Sequence, residues 1–124
     1  LKRGFCYIAP GDFHMSIVQE NSIYKIKLDK NPPVSGLRPT VDVLMKSVSI
    51  INNLNKIGVI LTGMGSDGAK GIKEIKKHNG YTIAEDKSTC VVFGMPKSAI
   101  NSGSIDKVLP INKIADEIIF RVGG

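Results

Sequence analysis

The chain is organised around the stretch Ile57-Gly-Val-Ile-Leu-Thr-Gly-Met-Gly-Ser-Asp-Gly-Ala-Lys-Gly71. Its first residues are apolar and β-branched without alternation, as is typical of a parallel strand covered on both faces. Four glycines follow, and glycine permits the positive φ angles and close backbone approach of a tight turn into a helix. Because ligands of open α/β folds bind where such strands end, Asp67 is predicted to lie at a functional edge of the sheet.

Strand and helix signals alternate along the rest of the chain. Thr40 is a suitable N-cap for the helix that follows it. After that residue the spacing of apolar positions predicts the order α-β-α-β-α-β-α, with an amphipathic final helix. Strands are predicted at Phe5–Ala9, Met15–Gln19, Ile23–Leu28, Ile57–Leu61, Tyr81–Glu85 and Ile105–Leu109, and helices at residues 41–54, 69–78, from Pro96 and at 111–122.

The predicted fold class is α/β, a three-layer α/β/α sandwich with a mainly parallel sheet and an N-terminal antiparallel hairpin. Only the last three strands are candidates for parallel pairing, which is few for a sheet covered on both faces. We therefore expect a partial domain, the carboxyl portion of a larger one. An uncovered sheet edge or apolar face would favour a homo-oligomer.

Composition and charge argue against several classes of protein. Seventeen Lys and Arg against eleven Asp and Glu give a net charge of +6. These basic residues are scattered without aromatic interleaving, so no nucleic-acid partner is expected. No apolar stretch suits a bilayer span and no signal peptide opens the chain, which predicts a cytoplasmic protein without membrane insertion. Cys6 and Cys90 are expected to be buried free thiols, and neither a metal nor a cofactor is expected.

Three side chains are candidates for chemistry, each with a structural alternative. Asp67 is either a helix cap or a catalytic carboxylate. Arg38 lies just ahead of a helix and suits either recognition of a substrate carboxylate or a loop-anchoring ion pair. His14 lies in a predicted strand-to-strand turn and suits either the lining of a substrate cleft or a turn or surface position.

The glycine pattern also allows a different function. Gly63-x-Gly65-x-x-Gly68 matches the dinucleotide fingerprint, and Glu85 ends the next strand about 20 residues on, where a ribose-binding acid is expected. Asp67 argues against this function, because its carboxylate would face a pyrophosphate of like charge. A Rossmann-like dinucleotide-binding module is the alternative function.

Several strings of the sequence are distinctive in combination. They are Tyr7-Ile-Ala-Pro-Gly-Asp-Phe-His-Met15, Pro32-Pro-Val34, Arg38-Pro-Thr-Val-Asp42, Gly58-Val-Ile-Leu-Thr-Gly-Met-Gly-Ser-Asp-Gly-Ala-Lys-Gly71, Cys90-Val-Val-Phe-Gly-Met-Pro96 and Ala99-Ile-Asn101. Together they closely resemble the catalytic domain of the chemotaxis protein-glutamate methylesterase family, CheB. The match runs in order over nearly the whole chain, so it is more specific than the glycine fingerprint alone.

The resemblance implies a Ser-His-Asp triad that hydrolyses methyl esters of glutamates on methyl-accepting chemotaxis receptors and, in some members, deamidates glutamines. It assigns the triad acid to Asp67, which would accept the Nδ1–H of the histidine. It places Met64 beside the nucleophile, where its backbone N–H could serve the oxyanion. Arg38 and His14 remain candidates for the substrate cleft.

Two strings of the family are not found in these 124 residues: Gly-x-Ser-Thr-Gly-Gly, which holds the nucleophile, and Gln-His-Met-Pro, which holds the histidine. Residues 1–124 are therefore expected to be the C-terminal portion of a methylesterase catalytic domain and to be inactive alone. Partnership with a receiver domain and a histidine kinase is expected only of a full-length protein.

Overall fold

The N-terminal part of the protein is a β-hairpin followed by a helix. In a computed structural model that describes residues 1–123, strands β1 (His14–Glu20) and β2 (Ile23–Asp29) pair antiparallel. Helix α1 (Val41–Ser49) begins at the predicted cap, since the Thr40 Oγ1 accepts the Val43 N–H at 3.2 Å. The predicted hairpin and helix start are confirmed.

The remaining strands form a separate parallel sheet in the order β3-β4-β5. Three helices and a short 3-10 helix at Lys87–Thr89 connect and follow these strands. The order of helices and strands after Thr40 is the predicted one. The elements are β3 (Ile57–Ile60), α2 (Ala69–Lys77), β4 (Tyr81–Glu85), α3 (Met95–Asn101), β5 (Lys107–Leu109) and α4 (Ile111–Arg121).

Helices cover both faces of this sheet. A β-carbon at Gly58 of β3 would lie 2.5 Å from Ile72 Cδ1, so this face meets α2. Thr82 of β4 is paired with Gly58 and therefore lies on the same face. The residue before it, Tyr81, donates its hydroxyl to Glu117 of α4 at 2.9 Å. Because successive strand residues point to opposite faces, α2 and α4 lie on opposite sides. The three-layer α/β/α arrangement is thus confirmed.

The hydrophobic core lies between β3 and the helices on the α2 side. Ile60, Ile72 and Ala99 are its buried centre. The turn that leads into α2 requires glycine at Gly68, which has a φ of +98° and whose β-carbon would lie 2.5 Å from Ile60 Cδ1. The core therefore holds the start of α2 directly above the end of β3. Val41, Met45, Met95 and Ile105 pack around this centre.

Two predicted elements differ from the structure by more than two residues. Residues 5–9 form no strand, and Ile8 is 85% exposed. A strand needs a hydrogen-bonded neighbour, and the hairpin uses only β1 and β2. Helix α1 ends at Ser49, five residues before the predicted end, and Asn53 then adopts a φ of +61°. Asparagine tolerates this left-handed conformation, which a helix cannot contain.

The two cysteine thiols are less buried than the sequence predicted. Cys6 is exposed and Cys90 is only partly buried, so the expected burial of Cys6 is wrong. The irregular segment that replaces the predicted first strand leaves this thiol without a core to enter. The homo-oligomer stays a prediction. No helix in the described part of the chain has the length and apolar character to cross a membrane.

We expect Ile72→Ala to lower the free energy of unfolding by about 2–5 kcal/mol, because it opens a cavity in the core. Ile72 is fully buried, whereas Ile119 of α4 is 52% exposed. The matched control Ile119→Ala should change stability by no more than about 0.5 kcal/mol. Chemical denaturation of the two variants measures this, and equal losses would contradict the assignment of the core.

Candidate active site

Asp67 lies in the turn between β3 and α2, but its carboxylate caps a different helix. Its Oδ2 accepts the Val41 N–H at 2.8 Å, and its Oδ1 accepts the Asp42 N–H at 3.1 Å. These are the first two N–H groups of α1, which have no partner within the helix itself. The capping alternative is therefore observed, although not for the helix that follows Asp67 in the sequence.

The side chain of Asp42, in turn, caps the start of α2. Its Oδ1 accepts the N–H of Gly68 at 3.0 Å and the N–H of Gly71 at 2.7 Å. Gly68 is the N-cap of α2 and supplies no side-chain cap of its own. The two helices thus exchange carboxylates: Asp67 caps α1, and Asp42 caps α2.

Sequence reasoning missed the role of Asp42. An acid in the first turn of a helix is common because it complements the dipole of its own helix. Nothing in the local spacing indicates that Asp42 instead binds N–H groups 26 and 29 residues further along the chain. The only available signal is that both Asp42 and Asp67 fall within the strings that carry the family resemblance.

Two cavities meet at Asp67. The larger has a volume of about 310 Å³, and Asp42, Ser66 and Lys70 are among the polar residues that line it. The smaller, of about 130 Å³, is mainly apolar. Asp67 and Thr40 line both, so the carboxylate is held by backbone N–H groups and still borders open space. The larger cavity is also lined by Val34, Ser35, Leu37, Met64, Gly65 and Ala69, and the smaller by Ala9, Met15, Pro39, Val41 and Leu44.

Met64 occupies the tip of the same turn and is 84% exposed. The turn is held at its base by Gly63, whose carbonyl accepts the Met95 N–H at 2.8 Å and whose N–H donates to the Val92 carbonyl at 3.1 Å. Among the hydrogen bonds of residues 1–123, none uses the Met64 N–H. Met64 also lines the larger cavity, which makes its N–H a candidate donor to an acceptor bound there.

Glu85, at the carboxyl end of β4, binds the residues next to this turn. Its carboxylate is buried and accepts the N–H and the hydroxyl of Thr62, both at 2.8 Å, and the hydroxyl of Thr89 at 2.9 Å. Burial alone would raise the pKa of Glu85, but the hydrogen bonds from Thr62 and Thr89 outweigh it and the pKa is lowered. A carboxylate engaged in this way is not presented to a ribose, which argues against the dinucleotide alternative.

Arg38 and His14 are not brought to these cavities. The Arg38 guanidinium pairs with Asp12 and donates to the Lys30 carbonyl at 3.1 Å, as in the loop-anchoring alternative. The hydrogen bonds from Arg38 and the positive charge of the guanidinium lower the pKa of Asp12. His14 is buried at the start of β1, with its Nε2 3.1 Å from the Pro32 carbonyl. Burial removes it from the expected turn or surface position, and neither side chain lines either cavity.

Within residues 1–123, no three or more His, Cys, Asp and Glu side chains are grouped so that they could hold a metal ion.

Comparison with known proteins gives a consistent family. A family model described as CheB methylesterase matches residues 1–118. The protein-glutamate methylesterase/protein-glutamine glutaminase of Symbiobacterium thermophilum is 48% identical over 123 residues, which are 99% of this chain and 33% of that protein. The protein of the same name from Thiobacillus denitrificans is 47% identical over 116 residues, 94% of this chain and 33% of its own. The chain thus spans about a third of the length of these curated relatives.

A solved structure agrees with the sequence comparisons. The catalytic domain of the Thermotoga maritima CheB methylesterase superimposes with a TM-score of 0.88 at 49% sequence identity. The similarity covers 91% of this chain and 60% of that domain.

We expect Glu85 to stabilise the fold at neutral pH and to lose this effect in acid. The pKa of Glu85 is lower in the folded protein than in the unfolded chain. Its contribution to stability is therefore complete above the pKa of the unfolded chain, about 4.5, and is lost as the pH falls through the pKa of the folded protein. Denaturation midpoints measured from pH 7 to pH 3 should fall more steeply for the wild type than for Glu85→Gln. Glu20→Gln, at an exposed position, is the control and should follow the wild type; identical pH profiles for all three proteins would contradict the role of Glu85.

Proposed function

The chain belongs to the CheB methylesterase family, and from this premise we propose that Asp67 is the acid of a Ser-His-Asp triad that hydrolyses glutamate methyl esters on chemotaxis receptors. The serine and histidine of this triad lie outside the 124 residues in our proposal. The observation that carries it is the Asp67 carboxylate itself, which is fixed by two backbone N–H groups while it borders two cavities.

A triad acid must remain charged, keep one orientation and be reachable by the histidine. The N-terminus of α1 favours negative charge on Asp67. Orientation is set because each carboxylate oxygen accepts one N–H from a rigid helix, at 2.8 and 3.1 Å. Each oxygen keeps a further lone pair, so one of them can accept the Nδ1–H of an imidazole that enters a cavity.

The proposed reaction follows from this arrangement. The serine Oγ attacks the ester carbonyl while the histidine takes its proton, and the imidazolium then protonates the departing methoxide, which leaves as methanol. Water hydrolyses the acyl-serine and releases the glutamate carboxylate. The free N–H of Met64 is the proposed donor to the oxyanion. With glutamine the leaving group is ammonia, which matches the second activity in the names of the relatives.

The proposal needs no metal or cofactor, and its partner is a protein substrate, the methyl-accepting receptor. The 124-residue chain alone is proposed to be inactive, because an acid without a base and a nucleophile has nothing to orient. A cytoplasmic location and, for a full-length protein, partnership with a receiver domain and a histidine kinase stay predictions.

We expect Asp67→Asn in the full-length protein to lower the rate of methanol release from methylated receptor by roughly 10⁴-fold, the scale for a triad acid replaced by its amide. The amide also has a structural cost, because its NH₂ group would face either the Val41 or the Asp42 N–H. The melting temperature should therefore fall by an amount equivalent to about 1–2 kcal/mol.

The control for this experiment is Asp106→Asn. Asp106 also accepts a backbone N–H, from Thr82 at 3.0 Å, but lines neither cavity. This variant should lose stability and keep its rate. Near-equal rates for Asp67→Asn and the wild type would leave Asp67 as a cap alone, and turnover by the 124-residue chain would contradict placing the nucleophile outside it.

A further inference from the structure

We infer that Asp42 is a positioning residue, which holds Asp67 in the orientation that the triad uses. The effect on turnover rests on the proposed function, whereas the effect on the geometry of Asp67 does not. Asp42 forms the N-terminus of α1 together with Val41, and both residues donate their N–H groups to Asp67.

The first argument comes from the peptide group that follows Asp67. The Gly68 N–H belongs to the peptide unit whose carbonyl is that of Asp67, and it donates to Asp42 Oδ1 at 3.0 Å. A peptide unit is planar, so this bond fixes the main chain on which the Asp67 side chain is mounted. The second bond, from the Gly71 N–H at 2.7 Å, fixes the first turn of α2 as well.

The second argument is the close approach of the two helices. A β-carbon at Gly71 would lie 2.7 Å from Met45 Cβ and 3.1 Å from Asp42 Cα. Glycine at this position therefore allows α2 to sit against α1 at the distance that both carboxylates need. Any side chain there would push the start of α2, and Asp67 with it, away from α1.

The two carboxylates differ in a way that makes the inference testable. Both N–H groups bound by Asp42 go to one oxygen, Oδ1, whereas Asp67 uses both of its oxygens. An asparagine at position 42 can place its carbonyl oxygen where Oδ1 lies and keep both bonds. An asparagine at position 67 cannot keep both, so only Asp42 should tolerate the change to an amide.

The experiment compares Asp42→Ala, Asp42→Asn and Gly71→Ala in the full-length protein. Turnover of methylated receptor gives kcat and KM, and amide hydrogen exchange gives the protection of the Val41 N–H, whose acceptor is Asp67. We expect Asp42→Ala to lower kcat by roughly 100-fold with KM little changed, as displaced catalytic groups do. Exchange at Val41 should rise by about fivefold to tenfold.

The other variants separate positioning from stability. Asp42→Asn should restore most of the kcat and the Val41 protection. Gly71→Ala keeps the carboxylate of Asp42 but displaces α2, so it should lose both and gives a second test if Asp42→Ala folds poorly. Asp106→Asn controls for general loss of stability and should keep both.

Three results would overturn the inference. They are a lower melting temperature for Asp42→Ala with kcat and Val41 exchange unchanged, a failure of Asp42→Asn to restore either readout, and an equal loss of kcat in Asp106→Asn. If Asp67→Asn keeps the wild-type rate, the proposed function fails, and exchange at Val41 alone decides whether Asp42 holds Asp67 in place.

Discussion

The exchange of carboxylates between the N-termini of α1 and α2 is the interaction on which the rest of the site depends. Asp67 binds the first two N–H groups of α1, and Asp42 binds those of Gly68 and Gly71 at the start of α2. A buried N–H without a partner costs about 1–3 kcal/mol, so these four bonds favour the packing of α1 and α2 against each other near their N-termini. They also determine where the carboxylate of Asp67 lies.

A second carboxylate, that of Glu85, links the carboxyl ends of the neighbouring strands. Glu85 at the end of β4 accepts bonds from Thr62 after β3 and from Thr89. The Thr89 hydroxyl in turn accepts the N–H of Ile111 at the start of α4. This chain of bonds joins the carboxyl ends of two strands to a helix on the other face. The exposed turn that carries Met64 and Asp67 is therefore mounted on a rigid base, as a site that must keep its geometry requires.

Capping and catalysis are compatible roles for Asp67. A cap needs acceptor oxygens that face backbone N–H groups, and a negative charge on them is favourable at a helix N-terminus; a triad acid needs a negative charge and a fixed orientation. Each oxygen of Asp67 accepts one N–H and retains the capacity for another bond. A structural cap is thus the physical means by which the proposed triad acid is held ready for a histidine.

Local patterns in the sequence determined the helices, the strands and their order. The apolar run of β3, the cap at Thr40 and the periodicity of α4 depend on neighbouring residues, and these predictions are confirmed. The combined strings likewise indicated the family, because they preserve residue identities along the chain. Residues 5–9 were predicted wrongly, since a strand exists only where another strand pairs with it.

Only the tertiary structure decided which polar groups meet. Asp67 caps a helix that begins 26 residues earlier, Arg38 binds Asp12 rather than lining a cavity, and His14 is buried. Each side chain had several chemically suitable partners at the level of sequence. The choice among them follows from how α1, α2 and the loops pack, and hydrogen bonds of a few ångströms depend on that packing rather than on the spacing of residues along the chain.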